Sequence, residues 1–116
     1  MNLAADLDAA TLSFEAGTAR LRFSGAEEFF KGHFPEGPVL PAVVQVAAAV
    51  HFAGRLIGWP VRLAEVTRAK FMNPTGPGRE LELSVSVEPA EEGRSRVKAL
   101  LRDGDREVAE LSLRVV

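Results

Sequence analysis

Residues 12–23, LSFEAGTARLRF, alternate apolar and polar positions on either side of the tetrapeptide Glu15–Thr18. That period of two predicts two short strands, or one bent strand, with a turn near Gly17. The next stretch, SGAEEFFKGHFPEGPVL, carries too many glycines and prolines for regular structure beyond one helical turn around Glu27 to Phe30. Pro41 suits the first position of a helix, where its missing N–H costs nothing. The helix should run to Leu56 or Ile57, with Gly58 as its stop and Pro60 just beyond. After Pro60 the period returns to two. VRLAEVTRAKFM reads as a strand ended by NPTGPG, and ELELSVSVE places Leu81, Leu83, Val85 and Val87 on one face. EEGR then turns the chain into SRVKALLR, and DGD turns it again into REVAELSLRVV. Neither an internal repeat nor a linker interrupts the pattern.

A helix that is apolar nearly all round must be covered on several sides. One antiparallel sheet curled around it can do this with a single apolar face, which predicts an α+β domain. Such a sheet has edges that seek partners, so a dimer is expected. A length of 116 residues is that of one domain with one core, spanning residues 1–116. Net charge is −2 with acids and bases mixed along the chain, so no basic face is offered to nucleic acid. The absence of cysteine excludes disulfides, thiolate zinc sites and a cysteine nucleophile. The start, MNLAADLDAATLSF, lacks both a basic beginning and a continuous apolar stretch, so no signal peptide is expected. Gln45, His51 and Arg55 interrupt the run Pro41–Trp59, which is barely long enough for a bilayer of roughly 30 Å. A buried helix of a soluble, cytoplasmic protein is expected instead, with no membrane insertion.

The chemistry centres on His33, which lies in a loop with Pro35, Pro38 and Pro41 and runs straight into a helix N-terminus. A lone histidine in such a loop is most simply a packed or solvated side chain. Here the prolines stiffen the loop, and the first helical N–H groups, those of Ala42 and Val43, carry partial positive charge. A near-neutral base beside preorganised donors suits removal of a proton next to a thioester or ketone carbonyl. Other constellations are poor. Two histidines without spaced carboxylates make a metal site improbable. The segment Gly76–Gly78 opens no helix and reads as a turn rather than a phosphate loop. Phe29 and Phe30 read as core or lid packing.

The segment GHFPEGPVLPAVVQ resembles the active-site signature of β-hydroxyacyl-[acyl-carrier-protein] dehydratases of the hot-dog fold, roughly G-H-F-P-x-x-P-V-x-P-G-V-x-x-x-E. AKFMNPTGPGRELEL is similar to the family's later strand, P-x-x-P-G-D turn and following strand, so the likeness covers about residues 22–116. The wording PVLPxVVQ looks more like the dehydratases of aryl-polyene clusters than the fatty-acid enzymes. The resemblance implies an antiparallel sheet wrapped around one long helix. It implies a dimer or higher homo-oligomer with an acyl tunnel along the interface, bordered by aromatics near Phe29 and Phe30. The substrate would be a 3-hydroxyacyl chain on the phosphopantetheine of an acyl carrier protein or on coenzyme A, dehydrated to the trans-2-enoyl thioester without metal or bound cofactor. His33 would be the base, the N–H of Ala42 (a glycine in the family) the oxyanion donor with Val43, and Gly32, Phe34, Pro35 and Pro41 the loop support. The family often has a cis peptide at the bond matching His33–Phe34.

One position departs from the signature. The family's second catalytic residue, a Glu or Asp supplied by the partner protomer, aligns with Ala47, and losing a general acid costs roughly a hundredfold to ten-thousandfold in rate. His51, one turn later on the same helix face, is the candidate substitute, either as the acid or as the holder of a water. The plainer reading is a core histidine satisfied by a backbone carbonyl. Gln45 is expected at a dimer contact, Glu36 in solvent, and Glu65 and Arg68 among surface or interface charges. Ala47 also opens a rival, a subunit that takes its acid from a different hot-dog protomer or binds carrier protein without turnover. A second rival is an acyl thioesterase, whose chemistry recurs on the same fold but whose obvious carboxylate Ala47 also removes.

Overall fold

The computed structural model describes residues 2–31 and 37–116. Helix α1 spans Leu3–Ala10 and leads into the hairpin of β1 (Thr11–Glu15) and β2 (Thr18–Leu21). A single 3-10 turn at Glu28–Phe30 precedes the long helix α2, Ala42–Ile57. Strands β3 (Leu63–Phe71), β4 (Leu81–Pro89), β5 (Ser95–Asp103) and β6 (Arg106–Val115) complete the chain, with a second 3-10 turn at Glu91–Gly93. Every expected strand forms, and residues 12–23 give two strands rather than one bent one.

Helix α1 is the element that the pattern reading did not predict. Its signal was present: the Asn2 side chain accepts from the N–H of Ala5 at 3.0 Å, and Leu3, Leu7 and Ala10 recur at helical spacing. Leu7 and Ala10 are buried, while Asp6 in the first turn favours the positive end of the helix. Pro41 stands at the N-cap rather than at the first helical position, because its C=O already accepts from Val44 and Gln45, each at 3.1 Å. Gly58, with φ 109°, stops the helix as expected by returning its N–H to the C=O of Gly54 at 2.8 Å.

The six strands form one antiparallel sheet in the order β1-β2-β4-β5-β6-β3. The connection containing α2 carries the chain from β2 to the opposite edge, so α2 crosses the apolar face of the sheet. Leu81, Leu83 and Val85 of β4, Val97 of β5 and Leu111 and Leu113 of β6 meet Val44, Ala48, Ala49 and Phe52 of α2 in one core. The β1–β2 turn uses Ala16 and Gly17 at positive φ, 50° and 82°, the pair a two-residue hairpin demands. A methyl at Gly17 would stand 2.6 Å from the C=O of Val85, which fixes the hairpin against β4.

The sheet covers only part of α2. Val43 is 70% exposed, and Val46, Ala47 and Val50 are half-buried on the same side. Strand β3 is exposed along its whole length, with Leu63, Val66 and Phe71 each more than two-fifths open. The single chain therefore leaves an apolar helix face and an unpaired strand edge uncovered together. No helix among the described residues is long and apolar enough to cross a membrane.

Phe52 is fully buried where α2 meets the sheet. Replacing it with alanine is expected to lower the unfolding free energy by about 3–5 kcal/mol. A lower urea midpoint with unchanged slope is the measurement that checks it.

Candidate active site

The start of α2 is held from below by a chain of hydrogen bonds. The N–H of Leu40 donates to the C=O of Thr75 at 2.8 Å, and the Gln45 side-chain amide donates to the C=O of Leu40 at 3.1 Å. Thr75 in turn donates its hydroxyl to Asp103 at 3.0 Å. Arg79 grips the same carboxylate at both oxygens, through Nε at 3.1 Å and Nη2 at 3.0 Å. Gly76 is needed here, because a β-carbon would lie 2.6 Å from the C=O of Pro38. The turn after β3 and the end of β5 thus brace residues 38–41 from one side.

Asp103 is 6% exposed and sits in this brace as an ion. The hydrogen bond from Arg79 holds its carboxyl below the usual carboxylate range; burial pushes the other way, and Thr75 adds to the lowering. This bracing pair was not foreseen, since Arg79 follows a turn and Asp103 ends β5, where the sequence signals only a change of direction.

Above the brace, the N–H groups of Ala42 and Val43 have no acceptor among the described residues, and both residues are exposed. Val43, though not Ala42, borders a groove of about 770 Å³ between α1, the uncovered face of α2 and the segment that leads to β3. Leu7, Val43, Val46, Ala47, Val50 and Trp59 give it an apolar lining. Ala47, the position aligned with an acid in the resemblance, lies in this wall, and so does His51.

Among the described residues, His51 meets a carboxylate rather than a backbone carbonyl. Its Nε2 lies 2.8 Å from Oδ1 of Asp8 on α1, and its ring stands edge-on to Phe52 with centroids 5.0 Å apart. Arg55, one turn on, approaches the same Asp8 oxygen at 3.9 Å and covers the Phe14 ring at 5.0 Å. Asp8 escaped the sequence reading because it is 43 residues from His51, in a segment not read as a helix.

Gln45, expected at a dimer contact, is instead buried at 6% exposure beneath the loop, because the helix turns that position toward the sheet. Its Oε1 is buried without a partner among the described residues. Glu65 and Arg68 lie on exposed β3, where Glu65 pairs with Arg94 at 3.7 Å. Phe29 and Phe30 pack with Phe23 in the core, at ring separations of 5.6 and 6.0 Å, and neither lines the groove. Gly32, His33, Phe34, Pro35 and Glu36, with the His33–Phe34 bond, lie outside the described residues. No group of three His, Cys, Asp or Glu side chains that could hold a metal occurs among the described residues.

Comparison with known proteins adds to this geometry. Residues 10–110 match the family model described as ApeI-like, ApeI dehydratase. The 3-hydroxyacyl-[acyl-carrier-protein] dehydratase FabZ of Gluconobacter oxydans is 36% identical over 93 residues, which cover 72% of this chain and 55% of that protein. The FabZ of Novosphingobium aromaticivorans is 37% identical over 91 residues, covering 66% of this chain and 56% of that protein. The chain thus spans about half the length of the curated relatives it matches. Among solved structures, the dehydratase heterocomplex ApeI:P from Xenorhabdus doucetiae superposes with a TM-score of 0.68 at 23% identity, covering 84% of each chain. Cj0977 from Campylobacter jejuni gives 0.68 at 18% identity, covering all of this chain and 78% of that one. At those identities the likeness shows the fold, which is the hot-dog arrangement.

The Asp103 brace makes a pH-dependent prediction. A carboxyl with a depressed folded-state pKa stabilises the fold above the unfolded value near ~3.9, and that stability is lost as pH falls through the folded value. Asp103→Asn is expected to cost about 1.5–3 kcal/mol at neutral pH. Urea midpoints for the two proteins should converge as pH falls below about 4.

Proposed function

The chain belongs to the ApeI-like dehydratase family, and we propose that it removes water from 3-hydroxyacyl thioesters to give trans-2-enoyl thioesters. The thioester would be carried on the phosphopantetheine of an acyl carrier protein, or on coenzyme A, in fatty-acid, polyketide or aryl-polyene synthesis in the cytoplasm. The observation that carries this reading is the pair of N–H groups of Ala42 and Val43, without an acceptor among the described residues, at a helix start whose Val43 borders an apolar groove. Amide donors held at a helix start stabilise charge as it develops on a carbonyl oxygen, and they do so without reorganising during the reaction. A groove of about 770 Å³ lined by aliphatic side chains suits an acyl chain.

In this reading His33 takes the proton from the α-carbon, and the enolate oxygen accepts from Ala42 and Val43. The electron pair then forms the carbon–carbon double bond as the β-carbon–oxygen bond breaks, and the hydroxyl leaves with a proton as water. Neither a metal nor a redox cofactor is required by such a β-elimination. Ala42, in place of glycine, keeps the donor and adds one methyl beside it.

Assembly belongs to the same proposal. The open edge of β3 and the bare face of α2 support pairing with a second copy, which would close the groove into a tunnel. Ala47 supports a second reading, in which the chain pairs with a different hot-dog subunit that supplies the acid.

Purified protein given a 3-hydroxyacyl-carrier-protein thioester should form the enoyl product, followed by mass spectrometry. His33→Ala is expected to slow turnover by about a hundredfold or more. Full turnover in that variant would remove His33 from the mechanism.

A further inference from the structure

The N–H of Ala42 shares a planar peptide group with the C=O of Pro41, so whatever fixes Pro41 also aims that donor. Three successive peptide groups are pinned there. The N–H of Leu40 donates to the C=O of Thr75 at 2.8 Å, and the C=O of Leu40 accepts from the Gln45 side chain at 3.1 Å. The C=O of Pro41 accepts from Val44 and Gln45, each at 3.1 Å, which turns the Ala42 N–H on the other side of the peptide out of the helix start.

Gln45 and the helical bonds belong to α2 itself, and Thr75 ties the set to the sheet. Thr75 is 7% exposed, between β3 and β4, and its hydroxyl donates to Oδ2 of Asp103 at 3.0 Å. Arg79 holds that carboxylate as a fork, through Nε at 3.1 Å and Nη2 at 3.0 Å, which fixes the plane of the group. Arg79 stands where the P-x-x-P-G-D turn has its aspartate. An acid there would face Asp103 with like charge, so this pairing depends on the residue that departs from the signature. A buried ion pair is a poor device for stability alone, since apolar residues of similar volume often serve as well or better. A geometric role accounts for its place under the helix start.

We propose that Asp103, oriented by Arg79, acts through Thr75 as a positioning residue for elimination, setting the direction from which the Ala42 N–H meets the thioester oxygen. This assignment rests on the dehydratase reading. None of the three side chains touches the substrate in it. Charge grows on that oxygen only as the α-carbon proton leaves, so a displaced donor weakens the transition state more than the bound substrate. The loss falls on kcat rather than on KM.

Thr75→Val is the sharpest cut, because it keeps the side-chain shape and the C=O that Leu40 uses and removes only the link to Asp103. The full chain is given a 3-hydroxyacyl-carrier-protein thioester in deuterium oxide, below the melting temperature of every variant. Mass spectrometry reads enoyl formation and deuterium gained at the α-carbon of recovered substrate. Thr75→Val should lower kcat by about tenfold to a hundredfold with KM unchanged. Exchange should fall with elimination, since both pass through the same enolate. Arg79→Lys, which keeps the charge but not the fork, should fall between the unmodified chain and Arg79→Met. In the free protein, ¹H–¹⁵N spectra should show the Ala42 and Val43 amides displaced in Thr75→Val while Ala49 and Phe52 stay in place. Unchanged kcat in Thr75→Val, with only the melting temperature lowered, would make the brace a stability device and overturn the assignment. Should Thr75→Val not fold, the Arg79 variants read the same split, and unchanged kcat in Arg79→Met would overturn it. Neither exchange nor elimination in the unmodified chain would remove the dehydratase reading. The geometric claim would then be decided by the two amides, and unmoved Ala42 and Val43 signals would overturn it as well.

Discussion

Helix α2 is the constraint from which the rest of the molecule follows. Over its 16 residues only Gln45, His51 and Arg55 are polar, so nearly every side of it must leave water. The sheet supplies one apolar face, against which Val44, Ala48, Ala49 and Phe52 pack. Helix α1 covers a further strip through Leu7. What remains uncovered is a strip of Val43, Val46, Ala47 and Val50, and this strip is the wall of the groove. Site and unfinished packing are therefore the same surface. An apolar acyl chain and a second subunit are both suited to it, and hydrophobic burial drives both associations.

The polar parts of the site are arranged around the two ends of that strip. At its start, the brace from Asp103 through Thr75 to Leu40 holds the backbone that precedes Ala42, and Gly76 permits the close approach. Two amide donors are thereby presented at a fixed place, without a side chain to cap them. Further along, His51 contacts Asp8 and stands edge-on to Phe52, which ties the imidazole to the centre of the core. Ala47 separates the two features, and its small side chain is what keeps the groove continuous between them.

Much of this was legible in the sequence because it follows from short-range rules. The twofold alternation located every strand, and Gly58 with Pro60 located the end of α2. The motif from Gly32 to Pro41 pointed to the helix start as the chemical centre. What escaped depends on contacts between residues far apart. Helix α1 is alanine-rich and short, so its cap at Asn2 was easily passed over, and Asp8 was lost with it. Gln45 was assigned to the wrong side of α2, because an amide in an apolar helix reads as surface until its carbonyl partner at Leu40 is known. The Asp103–Arg79 brace joins the end of β5 to the segment before β4, 24 residues apart, a distance over which no periodicity speaks.

The central claim is that a thioester carbonyl is held at the start of α2. A stable amide analogue of a 3-hydroxyacyl pantetheine, titrated into ¹⁵N-labelled protein, tests it directly. The account predicts that the Ala42 and Val43 amide protons move downfield and gain protection from exchange, while Val46, Val50 and His51 shift along the groove. Binding that leaves those two amides unmoved and instead perturbs the outer face of the sheet, around Ser84, Lys98 and Ser112, would contradict it.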